Sequence, residues 1–278
     1  SMPPMLFTPD GNYPLINIEK GMLRITISAK CNAENSAKKI VGLSGGKTIN
    51  AVPNEAVAQV TGFSEKEVND YISASKTTIQ FSTECENNVI TIKAKGVSAH
   101  ASTPEKGDNA LTGLIELLSS FNFEDSKSFK LISSLSKLFP YNETDGTSSG
   151  VKSSDEISGA LTLTFSVFDY KDGNATGKID IRFPICDSMK KVTDKLSESL
   201  SKYGFSITDI MGDEPHHVDE NSEFVQKLLK VYSDLTGNEA YCQAIGGGTY
   251  VHNTPGGVAF GAEFPGEDNH MHGADEFM

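Results

Sequence analysis

At 278 residues the chain can bury a sizeable core and hold one large or two ordinary domains. A formal net charge of −13 argues against nucleic acid and anionic membrane as partners. Cysteines at 31, 85, 186 and 242 have no CxxC spacing, which predicts a reduced cytoplasmic setting without disulfides or a cysteine-based zinc site. No apolar run approaches membrane-spanning length, and no charged-then-apolar leader stands out. Arginine occurs only at 24 and 182 among many lysines, so each of the two positions asks for something lysine cannot supply.

In chain order, Asp10-Gly11 between Pro9 and Pro14 predicts a turn, and by itself Asp10 reads as an Asx-turn residue. Met22 to Ser28 alternates apolar and polar side chains, the pattern of a strand. Asn32 to Lys39 reads as a short helix or loop, and Lys47 to Val52 as a strand running into a turn at Pro53-Asn54. Gly45-Gly46-Lys47-Thr48 lacks the leading glycine and spacing of a phosphate loop and is set aside. Ser64 and Glu67 form a capping box that opens a helix running to Ala74. Thr78 to Phe81 and Asn88 to Lys95 then read as an antiparallel pair.

Gly96 to Ala110 sets one imidazole, His100, among small residues at a strand end, with room for a ligand to reach it. Asp108 or Asn109 opens an apolar helix through Leu118. A further helix spans Phe129 to Phe139, and the polar stretch 142–155 is expected to be a mobile surface loop. Ile157 to Tyr170 and Gly177 to Phe183 make a hairpin around Asp172-Gly173-Asn174, with Arg182 near its end. A helix from Ser188 to Tyr203 and a strand from Phe205 to Ile210 complete a pattern of two ferredoxin-like halves sharing a sheet.

Asp213 to Asp219 reads as a linker into a helix from Ser222 to Leu235 that Gly237 ends. Capping by Asp219 or Asn221 outranks metal coordination by His217 and Asp219 there. Gly246-Gly247-Gly248-Thr249 lets the backbone approach a ligand without Cβ obstruction and offers N–H groups to an anion. The apolar run Val258 to Phe260 then leads to metal-competent side chains at Glu267, Asp268, His270, His272, Asp275 and Glu276.

Several of these pieces together resemble the PepV-type dinuclear zinc dipeptidases, within the carboxypeptidase, aminoacylase and carnosinase superfamily. They are Phe7-Thr8-Pro9-Asp10, Asn17-Ile18-Glu19-Lys20-Gly21, Ser98 to Gly107, the Arg182 strand, Gly246 to Tyr250, Val258 to Gly261 and His272 to Glu276. The resemblance implies an α/β fold in which a partial zinc-exopeptidase catalytic domain, residues 1–20 and 214–278, carries an inserted α+β lid, residues 21–213. It implies Asp10 and His272 as ligands to the two zinc ions of the intact parent. It makes His100 the lid donor to the tetrahedral oxyanion. Arg182, with the backbone at Gly247, Gly248 and Thr249 and with Asn50, would hold the substrate's C-terminal carboxylate.

These roles suit the chemistry, because hydroxide attack on a peptide bond loads negative charge onto the carbonyl oxygen and a guanidinium fork matches a carboxylate. The family's remaining ligands and its general base have no equivalent in the sequence, so this chain alone is expected to hold zinc weakly and hydrolyse nothing. Small peptides are the expected partners, and a monomer is expected over an oligomer. Two alternatives are a lid-centred fragment that binds amino acids or peptides without catalysis, and a parent enzyme that deacylates N-acyl amino acids.

Overall fold

The structure, a computed structural model, describes residues 5–32 and 34–266. Eight strands form one antiparallel sheet in the spatial order Ser206–Asp213, Gly21–Lys30, Asn174–Phe183, Thr162–Lys171, Lys39–Gly45, Glu55–Thr61, Val89–Lys95 and Gln80–Glu86. The first four occupy the 4-1-3-2 places of a ferredoxin-like βαββαβ unit, with the helix Met189–Ser201 before the last strand. The other four do the same around the helices Glu65–Ala74 and Ala110–Ser119, except that the fourth place is taken by Lys39–Gly45, which comes first in the chain.

The two halves are therefore nested. The second lies inside the connection from Gly21–Lys30 to Thr162–Lys171, and the halves meet where Phe168 to Lys171 pairs with Gly42 to Gly45.

Alternation decides which face is apolar. Leu23, Ile25, Ile27 and Ala29 are buried, while Met22, Arg24, Thr26 and Ser28 between them stay half-buried on the other face. Val68, Leu114, Ile132, Leu135, Val192 and Leu196 from the helices join the first set in one continuous core. Helices thus cover one face of the sheet, and the opposite face carries Arg24, Asp180 and Arg182.

Three sequence expectations change. The strand lies at Lys39–Gly45 and not at 47–52, where only Ala51 makes a bridge; a bulge between Ile40 and Gly42 breaks the alternation that would have revealed it. The 142–155 stretch is pinned, with Ser149 and Val151 fully buried and the Ser149 hydroxyl donating to the Leu138 carbonyl at 2.6 Å. The hairpin near residue 172 turns tightly on Asp172 and Gly173, both at positive φ (50° and 78°).

A second, smaller sheet is centred on Leu15–Glu19. Cys242–Ile245 runs parallel to it, Val258–Ala259 and His216–His217 make short antiparallel contacts, and Phe7–Thr8 pairs in parallel with Val258–Ala259. The helix Glu223–Thr236 packs Val225 against Leu15 and Val258, and Gly237 ends it in the left-handed conformation (φ 72°). Its N-cap is Ser222 and not Asp219 or Asn221, because Asp219 already accepts the Asn221 N–H in the preceding turn. The chain passes between the two sheets at 19–21 and again at 213–216.

Candidate substrate-binding face

Both arginines of the chain converge on one carboxylate. Asp180 is fully buried and accepts from Arg182 Nε at 2.7 Å and Nη2 at 3.0 Å, while Arg24, directly across the antiparallel pair, places Nε 3.5 Å from Oδ2. A two-point clasp of a carboxylate needs a planar fork, which explains arginine at position 182 among so many lysines. Arg182 Nη1 then donates to the Gly246 carbonyl at 2.8 Å. This revises the role expected for Arg182: at 4 % exposure its fork is spent on Asp180, and what it holds is the start of the glycine loop.

That loop leans on the His100 turn. A Cβ at Gly246 would stand only 2.8 Å from Ser102 Cβ, so glycine is required for the approach. The turn is fastened from the other side, where Ala101 N–H donates to the Asn50 carbonyl at 2.9 Å and Thr164 Oγ1 donates to the Ala101 carbonyl at 3.2 Å. Asn50 acts here through its backbone, anchoring the strand end that displays His100. The imidazole is exposed, and its Nδ1 accepts the Ser102 N–H at 3.2 Å with the Ser102 hydroxyl 2.7 Å away. An Nδ1 used as acceptor leaves the ring proton of the neutral form on Nε2.

The far end of the loop has an anchor that the sequence reading misses. Glu19 is 1 % exposed, and its Oε1 accepts both the Thr249 N–H (3.1 Å) and Thr249 Oγ1 (2.6 Å). Its Oε2 meets His252 Nδ1 at 2.6 Å, and His252 Nε2 reaches the Glu214 carbonyl at 3.0 Å. Burial pushes the Glu19 carboxyl upward, but the bonds from His252 and Thr249 outweigh it and leave the group below its ordinary range. The hydrogen bond to Glu19 lifts His252 above its ordinary range, against burial. Thr249 therefore spends its N–H and hydroxyl on Glu19, which corrects the expectation that it receives a substrate carboxylate. Among the described residues no atom lies within 4 Å of where a Cβ on Gly247 would stand, while Gly248 lies over the His252 ring.

The metal ligands expected from the sequence are not brought together in the described part. Asp10 is exposed just beyond Phe7–Thr8, with its N–H on Thr8 Oγ1 at 3.3 Å. His272, like the acidic and histidine residues from Glu267 to Glu276, lies outside the described residues. Among the described residues no three His, Cys, Asp or Glu side chains gather as a metal-holding group, so these residues do not by themselves fit a dinuclear zinc centre.

Comparison with known proteins shows what the chain resembles. Residues 89–208 match the peptidase dimerisation domain of the M20 type. Over its whole length the chain is 33% identical to the Bacillus subtilis protein described as "Putative dipeptidase YtjP", of which it covers 60%. The chain is thus similar to the M20 peptidases, through their dimerisation domain and through relatives described as dipeptidases. A Staphylococcus aureus relative with the same description is 28% identical, again across 100% of this chain and 60% of the relative. The chain thus spans about 60% of the length of these relatives. The fold resembles that of the aminoacylhistidine dipeptidase from Vibrio alginolyticus, at 14% identity and a TM-score of 0.50 over 93% of this chain and 59% of that one.

Proposed function

We propose that this chain is the peptide-binding portion of a metal-dependent dipeptidase of the M20 type, with residues 21–213 as a lid and residues 1–20 and 214–278 as parts of a catalytic domain. One observation carries the reading: the His100 turn, Arg182 and the Gly246–Thr249 loop, far apart in sequence, meet on the helix-free face of the eight-stranded sheet. Zinc, taken up by Asp10, His272 and further donors, would supply the activated hydroxide. Recognition and charge stabilisation fall to the described residues.

In this reading His100 Nε2–H donates to the oxygen that gains charge as the peptide bond is attacked. The open backbone at Gly247 and Gly248 receives the substrate's terminal carboxylate, and Arg182 acts through the Gly246 carbonyl to aim that backbone. Two anion-receiving elements on one face limit the substrate's length, which favours dipeptides over longer chains.

Calorimetric titration with alanyl-alanine and with its C-terminal amide tests the carboxylate reading. The acid is expected to bind at least about tenfold more tightly, the discrimination of one lost charge-assisted contact. Equal affinities would overturn the reading.

A further inference from the structure

The end of the glycine loop is tied to both places where the chain crosses between its two sheets. Glu19 stands at the first crossing, two residues before the strand Gly21–Lys30 begins, and Glu214 stands at the second, directly after Ser206–Asp213. His252 touches both, with Nδ1 on the Glu19 carboxylate at 2.6 Å and Nε2 on the Glu214 carbonyl at 3.0 Å. Both partners accept hydrogen bonds, so the ring that satisfies them carries two protons and is an imidazolium. With each ring nitrogen engaged, His252 is neither a base nor a metal ligand in this arrangement.

The register explains why one carboxylate can organise the whole loop. Ile245 pairs with Glu19 across the parallel strands, so the loop leaves the sheet beside Glu19, returns to it at Thr249, and meets it again through His252. Arg182 holds the loop's first carbonyl from the large sheet. Glu19 and His252 hold its last residues from the small one.

We propose that Glu19 and His252 are positioning residues: their ion pair latches the Gly246–Thr249 loop to both inter-sheet crossings and fixes the backbone that faces the peptide. The inference rests on the loop's proposed role in peptide binding and adds to it the group that sets the loop's geometry. Four groups face the imidazolium: the Glu19 carboxylate, the Glu214 carbonyl, Asp213 on the neighbouring strand, which also favours the charged ring, and His216. The His216 ring lies 6.2 Å away centre to centre and bonds through Nε2 to the Gly257 carbonyl at 2.7 Å.

Hydrogen exchange at the Thr249 N–H, corrected for intrinsic rates and followed against pH, tests the latch in the whole chain. Wild-type protection should decline by up to about tenfold per pH unit as His252 loses its proton. His252→Arg keeps a cation that does not titrate there, so it should retain protection on the alkaline side, whereas His252→Gln should lose it at every pH. Unchanged protection in His252→Gln, or the wild-type alkaline decline persisting in His252→Arg, would overturn the latch. If His252→Gln fails to fold, the His252→Arg profile decides alone.

Affinity for alanyl-alanine separates this inference from the reading beneath it. It should follow the Thr249 protection from pH to pH. Acid-over-amide discrimination that ignores that protection refutes the positioning role. Protection that behaves as expected, without any such discrimination, refutes the peptide-binding reading and leaves the latch standing.

Discussion

The two sheets are stabilised by different means. The eight-stranded sheet and its helices share a continuous apolar core from Leu23 to Phe205, whereas the buried apolar cluster beside the small sheet consists of Leu15, Val225 and Val258. The small sheet leans more on polar ties: Asn17 Nδ2 to the Val218 carbonyl at 2.9 Å, Gln243 Nε2 to the Tyr13 carbonyl at 2.8 Å, and the Glu19 hub. Apolar burial is indifferent to pH, while an ion pair is not. The far end of the glycine loop thus hangs from the part of the molecule whose order can be changed by a single proton.

The most severe way to break the contrast is to hollow the large core. Phe165 is 2 % exposed and stacks on Phe139 with ring centres 4.6 Å apart. Phe165→Ala should cost about 4 kcal/mol in chemical denaturation, the usual cost of removing a buried aromatic ring. Both the strand Thr162–Lys171 and the helix Ala110–Ser119 share this core and should unfold together with it.

Next comes the one charged cluster buried on the large sheet. Asp180→Asn leaves Arg182 and Arg24 without their carboxylate and should cost about 3 kcal/mol, as breaking a buried ion pair does. It should also loosen the Gly246 carbonyl, which Arg182 holds at 2.8 Å. A stability loss without faster exchange in the 246–249 loop would show that Arg182 reaches Gly246 independently of Asp180.

Smaller, and confined to the small sheet, is the response to pH. The depressed Glu19 contributes fully above its ordinary value of 4.5 and loses its contribution as pH falls through its folded value. The elevated His252 contributes fully below its ordinary value of 6.5 and loses its contribution as pH rises through its folded value. The latch is therefore strongest between pH 4.5 and 6.5, and thermal melting of His252→Gln relative to wild type should differ most inside that window. A difference independent of pH would assign His252 a packing role only.

What was legible in the sequence was local. Ser64 with Glu67, the Asn109 cap and the alternation from Met22 to Ser28 each act within a few residues, and each reappears in the fold. The motif pieces also led to the M20-type peptidases that the chain resembles. The nesting of the two halves was not legible, because it depends on Phe168 to Lys171 meeting Gly42 to Gly45 across more than a hundred residues. Nor was the Glu19–His252 pair, whose members are 233 residues apart. Asp180-Ile181-Arg182 was a missed signal: on a strand, residues two apart share a face, so the carboxylate that claims Arg182 stood beside it in the sequence.

The mildest test uses one chemical change in both regions. Ser188 and Ser222 each cap a helix by accepting an N–H three residues ahead, from Lys191 and Val225 respectively, both at 3.4 Å. Each Ser→Ala change should remove about 1 kcal/mol of helix stability. The helix Met189–Ser201 buries Val192, Leu196 and Leu200 in the large core, so Ser188→Ala should lower global stability by that amount. The helix Glu223–Thr236 buries only Val225 and Tyr232, so Ser222→Ala should surface chiefly as faster amide exchange within that helix, with the large sheet's unfolding unchanged. If both variants lower global stability equally, the two sheets unfold as one cooperative unit, and the latch would then have to act against the stability of the whole chain.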